Sequence, residues 1–226
     1  MKKIFVVVFL LFSSLYSQDF GYEYAPVNDF RSFGASYSLQ QFTPSAGSGI
    51  PDSLRIKFST PLPFFEYRQM DLRAAIGYQT YLLNNKSRSS FSVYLQQASD
   101  FLLNGDTQKS GIYLPIILST NYIMAEGDAG RIRNFEIGSI GAGTGLKYKL
   151  IASSFALQLY AAGTYHYSTA GFSTEYGTLL MLQSEILFAF PDVIAGYRFE
   201  KQEWNLSGQQ LDYQRIIHGV FIGLMF

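Results

Sequence analysis

Apolar and aromatic residues alternate with Gly, Ser, Gln or charged residues over most of the chain after residue 30. Alternation with a period of two over about ten residues is typical of a β-strand whose two faces have different surroundings. The clearest stretch covers residues 139–150, where one face carries Ile140, Ala142, Thr144, Leu146, Tyr148 and Leu150 and the other holds only Ser, Gly and Lys. No stretch after residue 30 has the period of an amphipathic helix, so the sequence predicts an all-β fold.

The same alternation recurs often enough to predict ten strands. In each strand one face is apolar and the other polar or small, although His218 falls on the apolar face of the last strand. The apolar faces of the other nine strands are Phe33, Ala35, Tyr37 and Leu39; Leu54, Ile56 and Phe58; Leu72, Ala74, Ile76, Tyr78 and Leu82; Phe91, Val93 and Leu95; Ile116, Leu118, Thr120 and Tyr122; Phe155, Leu157, Leu159, Ala161, Tyr165 and Tyr167; Leu180, Leu182, Ile186 and Phe188; Val193, Ala195, Tyr197 and Phe199; and Ile216, Val220, Ile222, Leu224 and Phe226.

The N-terminal segment has the order of features that a secretory signal peptide requires. Lys2 and Lys3 precede nine apolar residues at 4–12, and small and polar residues follow. Nine apolar residues are too few for a membrane-spanning helix. We therefore expect residues 1–17 to be a signal peptide cleaved after Ser17, residues 18–30 to be a periplasmic N-terminal segment, and residues 31–226 to form one β-barrel domain.

Composition excludes several classes of function. The chain has 17 Lys and Arg against 17 Asp and Glu, which leaves no basic surface for nucleic acid. It has no Cys and two His, so thiol catalysis, disulfides and Cys- or His-rich metal sites are excluded. Phosphate-loop, dinucleotide and EF-hand patterns are absent from the sequence. We therefore expect no cofactor-binding, metal-binding or nucleic-acid-binding residues.

The links between the predicted strands are unequal in length. Links near 68–71, 151–153 and 191–192 are short, whereas those at 43–52, 125–134, 168–177 and 205–210 are longer and rich in Gly, Ser, Asn and Asp. Residues 98–111 form a 14-residue link on the short side, which leaves eight or twelve strands as alternatives to ten. Pro61 and Pro63 are expected near the periplasmic end of the second strand, where a lost ladder bond costs least.

These features together resemble a small Gram-negative outer-membrane β-barrel protein. Short turns on one side, long loops on the other and Tyr and Phe near strand ends are typical of that family, and a terminal strand ending at Phe226 is similar to its assembly signal. The resemblance implies a single closed antiparallel up-and-down transmembrane barrel in the outer membrane. It also implies outer-membrane lipid, lipopolysaccharide and the outer-membrane assembly machinery as partners. A secreted soluble β-sandwich or a lipocalin-like binding protein is the alternative fold.

The polar faces of the strands would line the barrel interior. That assignment directs six cations inward together with two acids and two further polar side chains: Arg55, Lys57, Arg73, Lys147, Lys149 and Arg198, with Glu185, Glu200, Gln158 and His166. Barrels of about eight strands leave room mainly for side chains. We therefore expect a filled polar core in preference to a narrow anion-selective pore, and we expect a non-enzymatic, structural or narrow-pore role.

One local motif points to a different activity. Residues 165–171 resemble the His-x-Ser-Asn-Ala-Gly stretch of the lipid A 3-O-deacylases, which use a His/Ser/Glu triad. His166 and Ser168 have the spacing that lets an imidazole take a hydroxyl proton, and Glu175 could orient the imidazole. Thr169 replaces the family Asn, and the predicted parity directs His166 inward, away from lipid. We therefore assign no catalytic residue and keep the deacylase as the alternative.

The acidic residues predict no second kind of enzyme. An omptin-type protease would need paired acids and an Asp–His couple above the barrel rim. Asp100, Asp106 and Asp128 show no such pairing in the sequence.

Overall fold

A computed structural model describes residues 31–45, 51, 54–69, 72–128, 131–152, 154–170, 175–207 and 212–226. The predicted signal peptide and the segment 18–30 lie outside these residues. Among the described residues no helix is both long enough and apolar enough to cross a membrane.

The structure confirms ten strands. They are β1 (Arg31–Pro44), β2 (Phe58–Gln69), β3 (Leu72–Leu83), β4 (Lys86–Asp106), β5 (Ser110–Ala125), β6 (Phe135–Ile151), β7 (Ala156–Ala170), β8 (Tyr176–Ala189), β9 (Val193–Leu206) and β10 (Tyr213–Met225). Each strand pairs antiparallel with its neighbours in the chain, and β1 pairs with β10 to close the sheet into a barrel.

Closure depends on the ladder between the first and last strands. It runs without interruption from Ser32 opposite Met225 to Pro44 opposite Tyr213. Arg31 and Phe226 therefore lie at the same end of the barrel, which we call the proximal end, and the Phe226 amide donates to the Arg31 carbonyl at 3.0 Å. Connections at the opposite, distal end are longer than the proximal ones, apart from the tight turn at Asn84 and Asn85.

The two faces of the wall differ as the alternation predicted. Large apolar side chains cover the outer face, among them Tyr37, Ile76, Leu118, Leu146, Tyr165, Leu182, Tyr197 and Ile222. Polar side chains of the same strands are buried inside, among them Ser36, Gln79, Ser119, Lys147, Thr164, Gln183, Arg198 and Arg215. Such an inside-out distribution suits a barrel surrounded by lipid, in which every backbone group is paired within the sheet.

The predicted parity of the second strand is wrong. The strand begins only at Phe58, and Ile56 and Phe58 are buried inside the barrel, whereas Lys57 is exposed and does not face the lumen. The interior at the distal end is itself apolar, so the apolar residues of this segment point inward. Pro61 and Pro63 lie in the distal half of β2 and not near its proximal end.

The 14-residue link predicted at 98–111 is mostly strand. β4 continues to Asp106 and β5 begins at Ser110, so the two strands extend as one long hairpin at the proximal end. A register shift between Leu102 and Asn104 accommodates an extra residue. Gly105, with φ at 107°, adopts a backbone conformation that residues with a side chain rarely take. The hairpin explains how a ten-stranded barrel accommodates this long segment.

The outer-face assignment can be tested by placing charge on each face. Leu146 is 55% exposed on the outer face, whereas Gln158 lies on the inner face of the next strand. Leu146→Arg is expected to lower the free energy of unfolding from bilayers by about 2–4 kcal/mol, because the guanidinium would face hydrocarbon. Gln158→Arg is the matched control and is expected to cost less in the same urea titration. A larger loss for Gln158→Arg would mean that the faces are inverted.

Candidate functional site in the barrel lumen

The centre of the lumen is crossed by a buried ion-pair network. Glu66 on β2 accepts two hydrogen bonds of 2.8 Å from Arg198 on β9, one on each carboxylate oxygen. Arg68 on β2 donates to both oxygens of Glu185 on β8, at 2.9 Å and 2.6 Å. β2 is separated from β8 by β1, β10 and β9, so these bidentate pairs connect opposite parts of the wall.

Two more residues complete the network and balance its charge. Arg73 on β3 donates to Glu66 at 3.1 Å, and its other end lies 3.8 Å from Glu200 on β9. Arg198 also joins the two halves by donating to Glu185 at 3.0 Å. Three guanidinium groups thus face three carboxylates in one cluster. Equal numbers of opposite charges with bidentate geometry are the arrangement in which a buried ion network can offset its desolvation.

Only part of this network is predictable from the alternation of the sequence. Arg73, Glu185, Arg198 and Glu200 were predicted to face inward, and they do. Glu66 and Arg68 were not identified, because the second strand was predicted around residues 54–58 and Arg68 was assigned to the link that follows it. Phe64, Glu66 and Arg68 are two residues apart in sequence and therefore share one face of a strand. A strand predicted over residues 64–69 would have placed Glu66 and Arg68 inside the barrel.

A second ion cluster lies closer to the proximal end. Lys147 and Lys149 on β6 both pair with Asp100 on β4, at 2.7 Å and 3.0 Å. The two lysines were predicted inside the barrel, but Asp100 was assigned to a loop. The extension of β4 as a strand brings its carboxylate to them.

A small cavity lies between the two ion clusters. Its volume is about 50 Å³, and its lining includes Arg68, Arg73, Lys147, Gln158, Tyr160 and Glu185. A water molecule needs about 10–15 Å³ of space measured in this way. The cavity therefore has room for a few water molecules, and residues of both ion clusters line it.

An aromatic cluster fills the distal half of the lumen. Phe42 lies between Phe58 and Tyr213, with ring centroids 5.2 Å and 4.7 Å away, and Phe135 meets Phe42 edge-on at 5.0 Å. Trp204 packs edge-to-face on Phe135 at 5.3 Å and is 2% exposed. Offset and edge-on contacts between buried rings give dense packing. This cluster lies in the lumen on the distal side of the ion-pair network.

Arg215 lies among the buried polar side chains of the lumen. It is 2% exposed and donates to Gln40 at 2.8 Å and to Ser92 at 2.9 Å. Arg55 lies at the distal end, where it donates to the Ser45 and Asp212 carbonyls and stacks on Tyr213. Arg55 is therefore buried as predicted, but it ties loops together and lines no passage.

The residues of the deacylase-like motif do not form a triad. His166 is fully buried in the lumen, where its Nε2 lies 2.8 Å from Thr164 Oγ1 and 3.3 Å from Ser119 Oγ. Ser168 Oγ shares a hydrogen bond of 2.7 Å with Ser139 Oγ. Glu175 pairs instead with Arg133 at 2.5 Å. The imidazole thus has neither the serine nor the glutamate as a partner among these contacts, and it faces away from lipid.

The distal loops are joined by a separate polar contact. Arg88 of β4 pairs with Asp128 of the β5–β6 loop at 2.7 Å. The hydrogen bond from Asn84, together with the charges of Lys86 and Arg88, holds the pKa of Asp128 below its ordinary value, so this carboxylate is ionised at neutral pH. Among the described residues no group of three His, Cys, Asp or Glu is placed to hold a metal ion.

The ion-pair network makes a strong prediction about stability. Glu66→Ala would remove the carboxylate that Arg68, Arg73 and Arg198 share. Removing one partner of a buried ion pair in this way is expected to lower the free energy of unfolding by about 3–5 kcal/mol. Glu136→Ala is the control, because Glu136 is exposed and its carboxylate accepts a hydrogen bond from the Tyr122 hydroxyl at 2.9 Å, outside the network. Its effect is expected to stay within about 0.5 kcal/mol. Equal losses for both variants in urea unfolding would contradict a stabilising role for the network.

Comparisons with known proteins give similarities at the level of structure. No protein-family model and no curated protein sequence matches the chain. Neisserial surface protein A is 15% identical, with 87% of this chain and 97% of that chain covered and a TM-score of 0.40. Ail of Yersinia pestis, solved with a heparin analogue, is 12% identical, with 88% of this chain and 99% of that chain covered and a TM-score of 0.31. The outer-membrane protease OmpT of Escherichia coli is 10% identical, with 87% of this chain and 95% of that chain covered and a TM-score of 0.34.

The fold of the chain itself identifies its class. The strand ladder is closed, the outer face is apolar, and the interior is polar at its centre and filled by side chains. The chain thus has the fold of a small outer-membrane β-barrel, as its sequence predicted.

Proposed function

We propose that this protein is a non-enzymatic integral barrel of the outer membrane with a structural role and a closed lumen. The observation that carries the proposal is the filling of the interior by two successive layers. The proximal layer is the network around Glu66 and Arg198, and the distal layer is the aromatic cluster around Phe42 and Trp204. A narrow pore would need a continuous wet path, and both layers lie across it.

The bidentate pairs support a structural role for the interior. Each guanidinium is held by two parallel hydrogen bonds, a geometry that fixes direction as well as distance. Arg68 also stacks on Phe221 of β10 at 4.7 Å, and Arg73 stacks on Tyr94 of β4 at 4.6 Å. The network therefore connects most of the circumference of the barrel and resists the side-chain displacement that conduction would require.

The partners follow from the proposed location. Export through a cleaved signal peptide would deliver the chain to the periplasm, and outer-membrane lipid and lipopolysaccharide would surround the barrel. The Phe226 side chain is 75% exposed beside the proximal end of β1, where the assembly machinery could recognise the last strand. Tyr165 and Tyr167 are exposed on the outer face of β7, as expected of residues near a membrane interface.

The closed lumen can be tested by conductance in planar bilayers. The wild-type barrel is expected to give no regular current steps, because the network and the aromatic cluster block the path. Regular steps that change with Arg73→Ala but not with Lys57→Ala would establish a pore and overturn the proposal. Lys57 is the control because its side chain is exposed outside the lumen, and heat-modifiable gel mobility would show that each variant is folded.

Mass spectrometry of lipid A tests the enzymatic alternative. Cells that express the protein are expected to show the same acyl chains as cells that lack it, because His166 is buried away from lipid. Loss of one 3-O-linked acyl chain that depends on both His166 and Ser168 would contradict the non-enzymatic assignment. Tyr165→Phe, on the outer face beside the motif, is the matched control for expression and folding.

A further inference from the structure

The wall of the barrel is incomplete between β2 and β3. Residues 64–69 of β2 pair with residues 72–77 of β3, and the pairing stops there. Both strands continue toward the distal end, β2 back to Phe58 and β3 on to Leu83. Over the same residues β2 keeps its ladder with β1 up to Phe58 opposite Phe42, and β3 keeps its ladder with β4 up to Leu83 opposite Lys86. We call the unpaired stretch, residues 58–63 and 78–83, the β2–β3 seam.

Two prolines account for the missing pairs. In an antiparallel sheet the N–H and C=O of one residue point to the same neighbour, and the next residue points to the other neighbour. Pro61 and Pro63 are two residues apart and so face the same side. Since the β1–β2 ladder is continuous through both of them, the donors that proline lacks are those that would face β3. The two prolines therefore remove two of the backbone hydrogen bonds that would otherwise join β2 to β3 along the seam.

Side chains cover the seam from inside the barrel. The Thr60 hydroxyl donates to the Gln79 side-chain carbonyl at 2.8 Å across it, and Phe58 stacks on Tyr81 with centroids 4.0 Å apart. At the proximal end of the seam, Phe64 lies against Gly77, where an added Cβ atom would be 2.6 Å from the Phe64 ring. Leu62, Phe64 and Tyr81 are each at most 5% exposed. Side-chain contacts thus join the two strands along the seam, and among the described residues this is a longer interruption of pairing than the one at Leu114 and Pro115 between β5 and β6.

Apolar groups lie on both sides of the seam. Tyr78 and Leu82 are 56% and 72% exposed on the outer face of β3, and Pro61 and Pro63 are exposed on β2. Behind the seam lies the apolar part of the lumen, with Leu62, Phe64 and Leu83. The seam lies in the distal half of the barrel, and this half faces the outer leaflet if the longer distal loops are extracellular, as they are in outer-membrane barrels. An acyl chain is the apolar ligand that the surrounding bilayer supplies at this place.

We propose that the β2–β3 seam is a binding site for an acyl chain of an outer-leaflet lipid, which inserts between the strands and packs on Leu62 and Phe64. The inference rests on the proposed membrane location. Insertion requires rotation of the covering side chains and breaks no backbone ladder. Unpaired backbone groups at the seam are costly in hydrocarbon, so they are expected to be bonded by side chains such as Thr60 and Gln79 or by lipid headgroups nearer the surface.

Fluorescence quenching by brominated acyl chains tests this site. Trp204 is the single Trp of the chain and lies on β9, whose ladders with β8 and β10 are both formed, and Phe42 lies between its ring and Phe58 of the seam. A reporter variant, Phe64→Trp with Trp204→Phe, moves the indole behind the seam. In vesicles of brominated phosphatidylcholine the reporter is expected to be strongly quenched, whereas wild-type Trp204 is expected to be weakly quenched. Phe58→Trp with Trp204→Phe is the second reporter if the first does not fold.

Restoring the two backbone donors supplies the decisive comparison. Pro61→Thr with Pro63→Thr, added to the reporter variant, allows β2 and β3 to pair, and most of the quenching is expected to be lost. The matched control is Tyr37→Thr with Leu39→Thr, which changes outer-face residues opposite the two prolines but adds no donor to the seam. Quenching should persist in that control. Equal quenching with and without the prolines, or none in a reporter that inserts into bilayers, would overturn the site. Failure to insert at all would instead count against the membrane location.

Discussion

The structure depends on the closure of one antiparallel sheet by the pairing of β1 with β10. In hydrocarbon no water is present to bond a free strand edge, so an N–H or C=O of the wall without a partner in the protein is costly. The ladder from Ser32–Met225 to Pro44–Tyr213 provides those partners where an open sheet would have two exposed edges. Once the sheet is closed in a membrane, its outer face must be apolar, and the space that it encloses must be occupied by side chains or by water.

The filling of this barrel follows from its small circumference. Ten strands enclose a space that side chains can occupy, and the chain places different chemistry at different depths. At the centre, three arginines and three glutamates form a balanced network, which avoids an uncompensated buried charge. Toward the distal end the aromatic rings around Phe42 occupy most of the lumen, and two buried arginines, Arg55 and Arg215, lie beside them. Both layers lie across the lumen, and this arrangement is the basis for proposing a structural role in preference to a pore.

The alternation of the sequence predicted ten strands, with eight and twelve as alternatives, and most of the inward and outward assignments, whereas closure was implied by the resemblance to outer-membrane barrels. For β6 and β7 the polar face contains Gly, Ser, Lys, Thr and His, so its direction was unambiguous. The prediction was wrong for the segment containing Ile56, Lys57 and Phe58, because a period of two distinguishes two faces but does not say which one is inside. Where the lumen is apolar, the usual rule for a membrane barrel is locally reversed.

The ion-pair network was only partly predictable for a related reason. Its members lie far apart in the sequence, and Glu66 and Arg198 are 132 residues apart. A strand pattern indicates that such residues face inward, but the pairing depends on which strands lie opposite each other in the closed barrel. The deacylase-like spacing of His166 and Ser168 shows the converse case. Both side chains share a face as the spacing predicted, yet their partners are Thr164, Ser119 and Ser139.

The central claim is that the chain is an integral, closed barrel of the outer membrane, and gel mobility of the membrane fraction tests it most directly. A closed barrel retains its compact shape in detergent until it is heated. The account predicts that the protein sediments with outer membranes, resists extraction by high salt, and migrates differently before and after boiling. A protein found in the soluble fraction after export, with one mobility before and after boiling, would contradict the account.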